Sequence, residues 1–312
     1  MSKYDSSAIR QLGAFKKMKS RINWTPYILI APAILLITGF LFYPVANVFY
    51  YSLQKFNPAK AYENGYIGFE NFKTIFTNDD LFLTSLMVTF KWVTSEVVLQ
   101  LIFGLGIALM LNQAFRFRGV FRAAAIIPWA ISGVVTSTVW GLLFNEQMGI
   151  INDLLMKVGM IDRKIAWLAE LNTVFPSIVT AELWRGIPFF TIAILAALQT
   201  IPNDLYESAV VDGAGRWKSF VHITLPFLKN TIVFTTLLRA VWEFNNVDLI
   251  FVMTNGTGGP VDMTTTLPMY IVKQAIYAQD FGYGSALTVV GFFILLLFAV
   301  LYLKLSRFGK EL

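Results

Sequence analysis

Seven ionisable side chains fall inside long apolar stretches of the sequence, where a charge is costly unless it is paired or serves a function. They are Lys91, Glu96, Glu182, Arg185, Arg239, Glu243 and Asp248. Glu182 and Arg185 are three residues apart, and Arg239 and Glu243 are four apart, so each pair shares one face of a helix. These spacings indicate structural ion pairs or a polar wall along a path through a membrane, and the sequence leaves both open.

The segment VWEFNNVDLIF (241–251) places Trp242, Asn245, Asn246 and Asp248 within one apolar stretch. An asparagine amide donates and accepts hydrogen bonds at once, which suits the hydroxyl groups of a sugar. An indole can stack on the apolar face of a sugar ring. The alternative is that the amides bond a neighbouring helix. We predict that these residues bind substrate. Glu182 and Arg185 are two further candidates.

The polar stretch LYESAVVDGAGRWKSFVHITLP (205–226) carries a glycine-rich run that looks like a phosphate-binding loop. That motif needs a glycine directly before its lysine, but Trp217 precedes Lys218. DNA binding is disfavoured because residues 203–226 carry a net charge of −1. Docking of another protein and simple connection of two helices are the remaining roles.

Patterns of catalytic residues are missing from the sequence. It has no Walker pattern, no G-x-S-x-G and no H-E-x-x-H. It contains no cysteine and one histidine, which argues against thiolate metal sites and histidine clusters. We therefore predict that the chain is not an enzyme and holds no cofactor of its own.

The elements that carry these residues are membrane helices. The 312 residues are 56% hydrophobic and 14% charged, against about 25% charged in a typical soluble domain. Six apolar runs reach the roughly 20 residues that a membrane helix needs, and the alternating pattern of a β-barrel is absent. We predict an all-α polytopic membrane protein with spans at about 27–53, 82–111, 119–144, 173–200, 227–254 and 282–304.

The distribution of Lys and Arg sets the orientation of the predicted spans, because these residues accumulate on the cytoplasmic side. The side that holds both termini carries 15 of them, against 7 in the opposite loops. We therefore predict cytoplasmic termini, a basic N-terminal segment (1–26) ahead of a six-helix domain (27–312), and a cytoplasmic position for residues 201–226. The outer loop 145–172 is expected to form a surface helix or a packed connector.

Residues 201–226 have the sequence of a small elbow. Asp204 and Glu207 fit a capped helix start, and Gly213 fits a helix end because glycine accepts positive φ. A second short helix is predicted next, with Pro226 opening the fifth span. A plain connection would not need this arrangement, so docking of a partner protein is favoured.

The elbow also resembles a known family signature, E-A-A-x-x-D-G-A-x5-F-x-x-I-x-L-P, found in the membrane subunits of binding-protein-dependent ABC importers. Serine, also a small residue, stands at the second position of the signature, where the family has alanine. The matching residues are Glu207, Ser208, Ala209, Asp212, Gly213, Ala214, Phe220, Ile223, Leu225 and Pro226. In that family the elbow docks into the cytoplasmic ATPase, so the resemblance implies an ATPase-coupling role for the first six.

Other segments resemble the carbohydrate-uptake branch of this family, the maltose and glycerol-phosphate permease type. They are 121–129, 182–202, 255–271 and 280–290. In maltose-type permeases the helix before the G-G-P segment supplies sugar-binding residues, and Asn245 and Asn246 match an Asn-Asn pair there.

The resemblance implies a permease subunit of a sugar importer in a bacterial or archaeal cytoplasmic membrane, working by alternating access. Expected partners are a second homologous permease subunit, two ABC ATPases that hold ATP and Mg²⁺, an extracytoplasmic solute-binding protein, a carbohydrate and the lipid bilayer, but no nucleic acid. The alternative function is an ion-gradient-driven transporter that uses Glu96, Glu182 or Glu243 as a proton site. A receptor or scaffold without transport is a third possibility.

Overall fold

The computed structural model describes residues 25–306. Most of the predicted basic segment 1–26 lies outside the described residues, as does 307–312. The described chain forms fourteen α-helices: α1 (Thr25–Ile37), α2 (Tyr43–Ser52), α3 (Glu70–Thr77), α4 (Asp80–Asn112), α5 (Arg118–Ala130), α6 (Gly133–Leu143), α7 (Ile150–Lys157), α8 (Val174–Leu198), α9 (Asn203–Val211), α10 (Arg216–Ser219), α11 (Leu225–Phe244), α12 (Asp248–Met253), α13 (Leu267–Val272) and α14 (Phe281–Ser306).

Five helical segments are long and apolar enough to cross a membrane. They are Pro26–Ser52, Asp80–Asn112, Val174–Leu198, Arg216–Phe244 and Phe281–Ser306. A sixth span results if the bent pair of α5 and α6 is counted as one. The all-α membrane fold is therefore confirmed, while the side on which the termini lie stays a prediction.

The chain divides into two units, residues 1–47 and residues 48–312. In the first unit the described residues form one helical run, in which a π-helical turn, Thr38–Phe42, follows α1. Nearly all of its side chains are exposed and apolar. Exposed apolar side chains of this kind suit contact with lipid. The helical backbone suits it too, because a helix satisfies its own backbone hydrogen bonds.

Within the second unit, the core of the bundle is the pair formed by α4 and α8. A methyl group at Gly104 of α4 would come 2.5 Å from Cβ of Phe190 on α8. Small residues let membrane helices approach closely and gain van der Waals contact. Around this point Ala108, Phe190, Ile194 and Leu228 are fully buried, so α11 joins the same core.

The third predicted span, 119–144, is wrong as a single helix. Helix α5 ends at Ala130, α6 begins at Gly133, and the two are bent by 94°. The backbone between them is extended, with ψ of 134° at Ile131 and 142° at Ser132. Pro128 lies in the last turn of α5 and lacks the N–H that a continuing helix requires.

The fifth predicted span, 227–254, is displaced at both ends. The helix already begins at Arg216 and passes through a π-helical turn, Phe220–Thr224, into α11 without a break at Pro226. The predicted second elbow helix is therefore the N-terminal end of the fifth span. At the other end the helix stops at Phe244, and α12 is a separate short helix.

The elbow helix α9 ends as predicted but begins differently. Pro202 occupies its N-cap, and no side chain caps it, so the predicted cap by Asp204 and Glu207 is wrong. At the other end Gly213 has φ of +75°. Its N–H donates to Val210 O at 3.0 Å, and Ala214 N–H donates to Ala209 O at 2.8 Å. This is a Schellman ending, which satisfies two carbonyls of the last turn.

The loop between α6 and α8 is held in place by a buried asparagine. Asn152 of α7 donates to the carbonyls of Glu146 and Ile165 at 3.2 and 3.0 Å, and its Oδ1 accepts from Trp167 Nε1 at 2.9 Å. Loop 145–172 therefore contains a short helix, α7, which is packed against the rest of the loop through Asn152. Residues 25–306 contain one sheet, a two-stranded antiparallel pair formed by Gln54–Lys55 and Gly65–Tyr66.

Candidate functional site

All six residues predicted to bind substrate line one cavity of about 360 Å³. This volume lies in the range of roughly 300–1,000 Å³ found for small-molecule sites. The cavity lies at the end of α11, where the fifth span is interrupted. Its lining residues are Glu182, Arg185, Arg239, Val241, Trp242, Glu243, Asn245, Asn246, Val247 and Asp248.

The two asparagines occupy the break between α11 and α12. Asn245 Nδ2 donates to Val241 O at 2.8 Å, which satisfies a carbonyl left open by the helix end. Asn246 Nδ2 donates to Glu243 Oε2 at 3.3 Å. Both partners belong to α11, not to a neighbouring helix. In residues 25–306 neither Oδ1 accepts a hydrogen bond, so both are available to a hydroxyl group of a ligand.

Trp242 adds an aromatic surface to the cavity. The residue is 42% exposed. The centroid of its ring lies 5.1 Å from the ring centroid of Phe189 on α8, and the two ring planes are tilted by 58°. Phe189 therefore supports one side of the indole. An indole held in this way can stack on the apolar face of a sugar ring.

The charged residues of the two predicted pairs form one cluster. Glu182, fully buried, accepts from Arg185 Nε and Nη2, both at 2.9 Å. It also contacts Arg239 Nη2 at 2.7 Å, and the same nitrogen lies 2.6 Å from Glu243 Oε1. Arg239 thus joins α8 to α11.

Structural pairing and a polar cavity wall are therefore compatible descriptions of the same residues. Each guanidinium has a carboxylate partner, as charges at membrane depth require. The same four side chains line the cavity. Among residues 25–306 no group of three or more His, Cys, Asp or Glu side chains is arranged to hold a metal ion.

Gly133 contributes to the site and was not predicted. A methyl group there would lie 2.9 Å from Arg185 Nη1 and 3.5 Å from Asp248 Oδ2. The backbone at the start of α6 therefore packs against Arg185 and Asp248. A glycine gives no chemical signal in a sequence, and its position depends on the break in the third span.

The six residues predicted to couple to an ATPase lie at the tip of the elbow. Glu207, Ser208, Asp212 and Gly213 are exposed, and Ala209 and Ala214 are half-buried. Three apolar neighbours are also strongly exposed, which the sequence did not identify as docking residues: Val210, Val211 and Trp217.

The elbow is fixed to two spans by one aromatic side chain. Tyr206 of α9 shares a 2.9 Å hydrogen bond with Thr224 Oγ1, just before α11. Its ring packs with Ile223 against a cluster that includes Leu198 of α8 and Leu228 of α11. A displacement of the elbow would therefore act on the C-terminal end of α8 and on the N-terminal end of the fifth span.

Comparison with known proteins identifies a family match over most of the chain. Residues 100–308 match the family described as "Binding-protein-dependent transport system inner membrane component". The match includes the elbow and every residue that lines the cavity.

Individual relatives align over almost the full chain. The trehalose/maltose transport system permease protein of Thermococcus litoralis is 34% identical over 298 residues, 95% of this chain and 98% of that protein. The sulfoquinovosyl glycerol transport system permease protein of Agrobacterium fabrum is 36% identical over 280 residues, 90% of this chain and 89% of that protein.

A solved structure shares the fold. A chain of the bacterial alginate ABC transporter, crystallised with an alginate pentasaccharide-bound periplasmic protein, superposes with a TM-score of 0.78. It is 22% identical, and the match covers 91% of this chain and 94% of that one.

The cluster predicts unequal effects of removing its two arginines. Arg239→Gln leaves Glu243 without its guanidinium partner and should lower the free energy of unfolding by about 3–5 kcal/mol. Arg185→Gln should have a much smaller effect, because Glu182 keeps its contact with Arg239. Thermal unfolding of the two purified variants, with wild type as reference, measures the difference, and equal losses would contradict the bridging role of Arg239.

Proposed function

Because the chain belongs to the family of inner membrane components of binding-protein-dependent transport systems, we propose that it is the permease subunit of an ATP-driven importer of a sugar or oligosaccharide. The observation that carries the proposal is the cavity of amides, paired charges and an indole at the break in the fifth span. The names of two relatives, one for trehalose and maltose and one for sulfoquinovosyl glycerol, support a carbohydrate substrate.

The cavity residues have complementary roles toward a sugar in this proposal. The Oδ1 atoms of Asn245 and Asn246 accept from hydroxyl groups, and Arg185 Nη1 donates to a ring or hydroxyl oxygen. Trp242 stacks on the apolar face of the sugar ring. Several hydroxyl groups can therefore exchange their water hydrogen bonds for bonds to the protein, which limits the cost of leaving water.

The energy for transport comes, in this proposal, from ATP hydrolysis by two partner ATPases, which bind ATP together with Mg²⁺. The elbow residues named above dock on an ATPase, with Val210, Val211 and Trp217 adding apolar contact area. ATPase closure moves the elbow, and the Tyr206–Thr224 contact passes the movement to α8 and α11. The cavity then opens alternately to each side of the membrane.

Two further partners belong to this proposal. A second homologous permease subunit covers the other side of the transport path, and an extracytoplasmic solute-binding protein delivers the sugar. The alginate transporter, which shares the fold, was crystallised with its periplasmic protein. This chain itself binds no cofactor in the proposed mechanism.

Uptake by the complete transporter in sealed liposomes tests the function. The assay uses labelled trehalose, maltose and sulfoquinovosyl glycerol with ATP supplied on the ATPase side. We expect uptake of at least one of them that requires a catalytically active ATPase and persists with an uncoupler. Uptake that survives an inactive ATPase but stops with an uncoupler would instead support the ion-driven alternative. That alternative is weakened by Glu182 and Glu243, which are both ion-paired to Arg239.

The elbow corner gives a prediction about coupling. Gly213→Val forces a β-branched residue to φ of +75°, which strains the corner by about 1–3 kcal/mol. We expect most ATP-driven uptake to be lost while the chain still inserts and assembles. Gly215→Val is the matched control, because Gly215 has φ of −72° and open space around it. Equal uptake by the two variants would exclude a role for the corner geometry.

The amides give a prediction about substrate binding. The double substitution Asn245→Leu and Asn246→Leu removes two acceptors and should reduce uptake by about tenfold or more, at about 1 kcal/mol for each hydrogen bond. Assembly with the ATPase should be retained, since neither residue lies on the elbow. Asn112→Leu, at the inner end of α4 and outside the cavity, is the control. Wild-type uptake by the double variant would limit both amides to a packing role.

A further inference from the structure

Gln100 lies behind the cavity wall and is not part of its lining. It belongs to α4, the helix of the second span, and its side chain is fully buried. A carboxamide buried at membrane depth is costly unless its hydrogen bonds are satisfied.

The carboxamide of Gln100 connects three charged groups. Its Oε1 accepts from Arg239 Nε at 2.7 Å. Its Nε2 donates to Glu96 Oε2 at 2.8 Å and to Glu243 Oε1 at 3.2 Å. The oxygen therefore faces the cation and the NH₂ group faces both carboxylates. A carboxylate in this place would repel Glu96 and Glu243, and an ammonium would repel Arg239. The neutral amide can accept from the cation and donate to both carboxylates.

Helix α8 packs closely on the amide of Gln100. A methyl group at Gly186 would come 2.2 Å from Gln100 Nε2 and 2.4 Å from its Oε1. Gly186 belongs to the same helix as Glu182, and its lack of a side chain makes room for the amide. The orientation of Gln100 is thus set by hydrogen bonds on one side and by the backbone of α8 on the other.

We infer that Gln100 is a positioning residue for the substrate cavity. It holds Arg239 at Nε, while Glu182 and Glu243 contact Nη2 of the same guanidinium. It also holds Glu243, which in turn accepts from Asn246. Removing the amide frees both wall residues to change position. It also leaves Glu96 without its one hydrogen bond, since Glu96 Oε1 has no partner within residues 25–306. The inference rests on the proposed function.

A purely structural role for Gln100 is the alternative, because α4 and α8 are packed closely along this face. Gly104→Ala is the matched control for that role. Gly104 lies one turn from Gln100 on α4, and the added methyl would collide with Phe190 of α8. The control disturbs the same helix pair without touching the charged cluster.

The experiment measures uptake by the complete transporter in liposomes, with labelled trehalose and maltose as probes. Removing a group that orients metal-binding residues typically costs about 10–100-fold in affinity, and we take the same scale for a buried group that orients sugar-binding residues. We expect Gln100→Leu to raise the KM for a transported probe by at least about tenfold. Gly104→Ala should lower the thermal stability and the yield of assembled transporter and leave KM unchanged.

Gln100→Glu provides a second readout, the pH dependence of KM, which a purely structural role of Gln100 would not change. A protonated carboxyl offers one donor and one acceptor, so it can keep the contact with Arg239 and one of the two contacts with Glu96 and Glu243. An ionised carboxyl adds a like charge beside Glu96 and Glu243. The charged groups around this position are Glu96 on α4, Glu182 and Arg185 on α8, and Arg239 and Glu243 on α11. We expect the KM of this variant to approach the wild-type value as the buffer is changed from mildly alkaline to mildly acidic.

The positioning role is overturned if Gln100→Leu and Gly104→Ala shift KM alike, or if Gln100→Leu leaves KM unchanged. Should Gln100→Leu fail to assemble, the pH series of Gln100→Glu decides, and a KM ratio to wild type that is flat across pH rejects the inference. Failure of the proposed function is seen separately in the wild type, which would then take up neither probe nor sulfoquinovosyl glycerol.

Discussion

The contact between Glu182 and Arg239 determines how the polar part of this protein is built. Lipid offers no hydrogen-bond partner, so each charge buried at membrane depth has to be neutralised by another protein group. Glu182 binds two guanidinium groups from two helices, and Arg239 binds two carboxylates. The fourth and fifth spans are therefore held together by charge pairing, and the second span joins them through Gln100.

The same cluster explains where the membrane helices can be interrupted. Non-helical backbone is tolerated at membrane depth where protein buries it or where it lines a polar cavity. The break after Phe244 is covered by an asparagine side chain that bonds the open carbonyl of Val241. The break before Gly133 lies against Arg185 and Asp248. Both interruptions therefore surround one polar site, and the short helices that follow them, α6 and α12, pack on each other.

Sequence patterns predicted the type of fold and the two charge pairs, and the six residues predicted to bind substrate lie in one cavity. Apolar length located the spans, and helical spacing identified Glu182 with Arg185 and Arg239 with Glu243. Errors occurred where the predicted start of a helix rested on one residue type, a proline or a capping acid, and the helix in the folded chain began elsewhere. Pro226 did not open the fifth span, because the helix already begins at Arg216 and reaches α11 through the π-helical turn Phe220–Thr224. Asp204 did not cap α9, because the helix begins one residue earlier, directly after Pro202.

The sequence by itself determined the membrane character, the helical class, the elbow and the types of side chain in the site. Those properties depend on apolar length, local spacing and turn chemistry, which are contained in short segments. Tertiary structure alone decided that Arg239 joins the two ion pairs by contacting Glu182. It also decided that Gln100 connects them to the second span and that Gly133 packs against the cavity. These contacts join residues more than fifty positions apart, and their geometry depends on how the helices pack rather than on any local pattern.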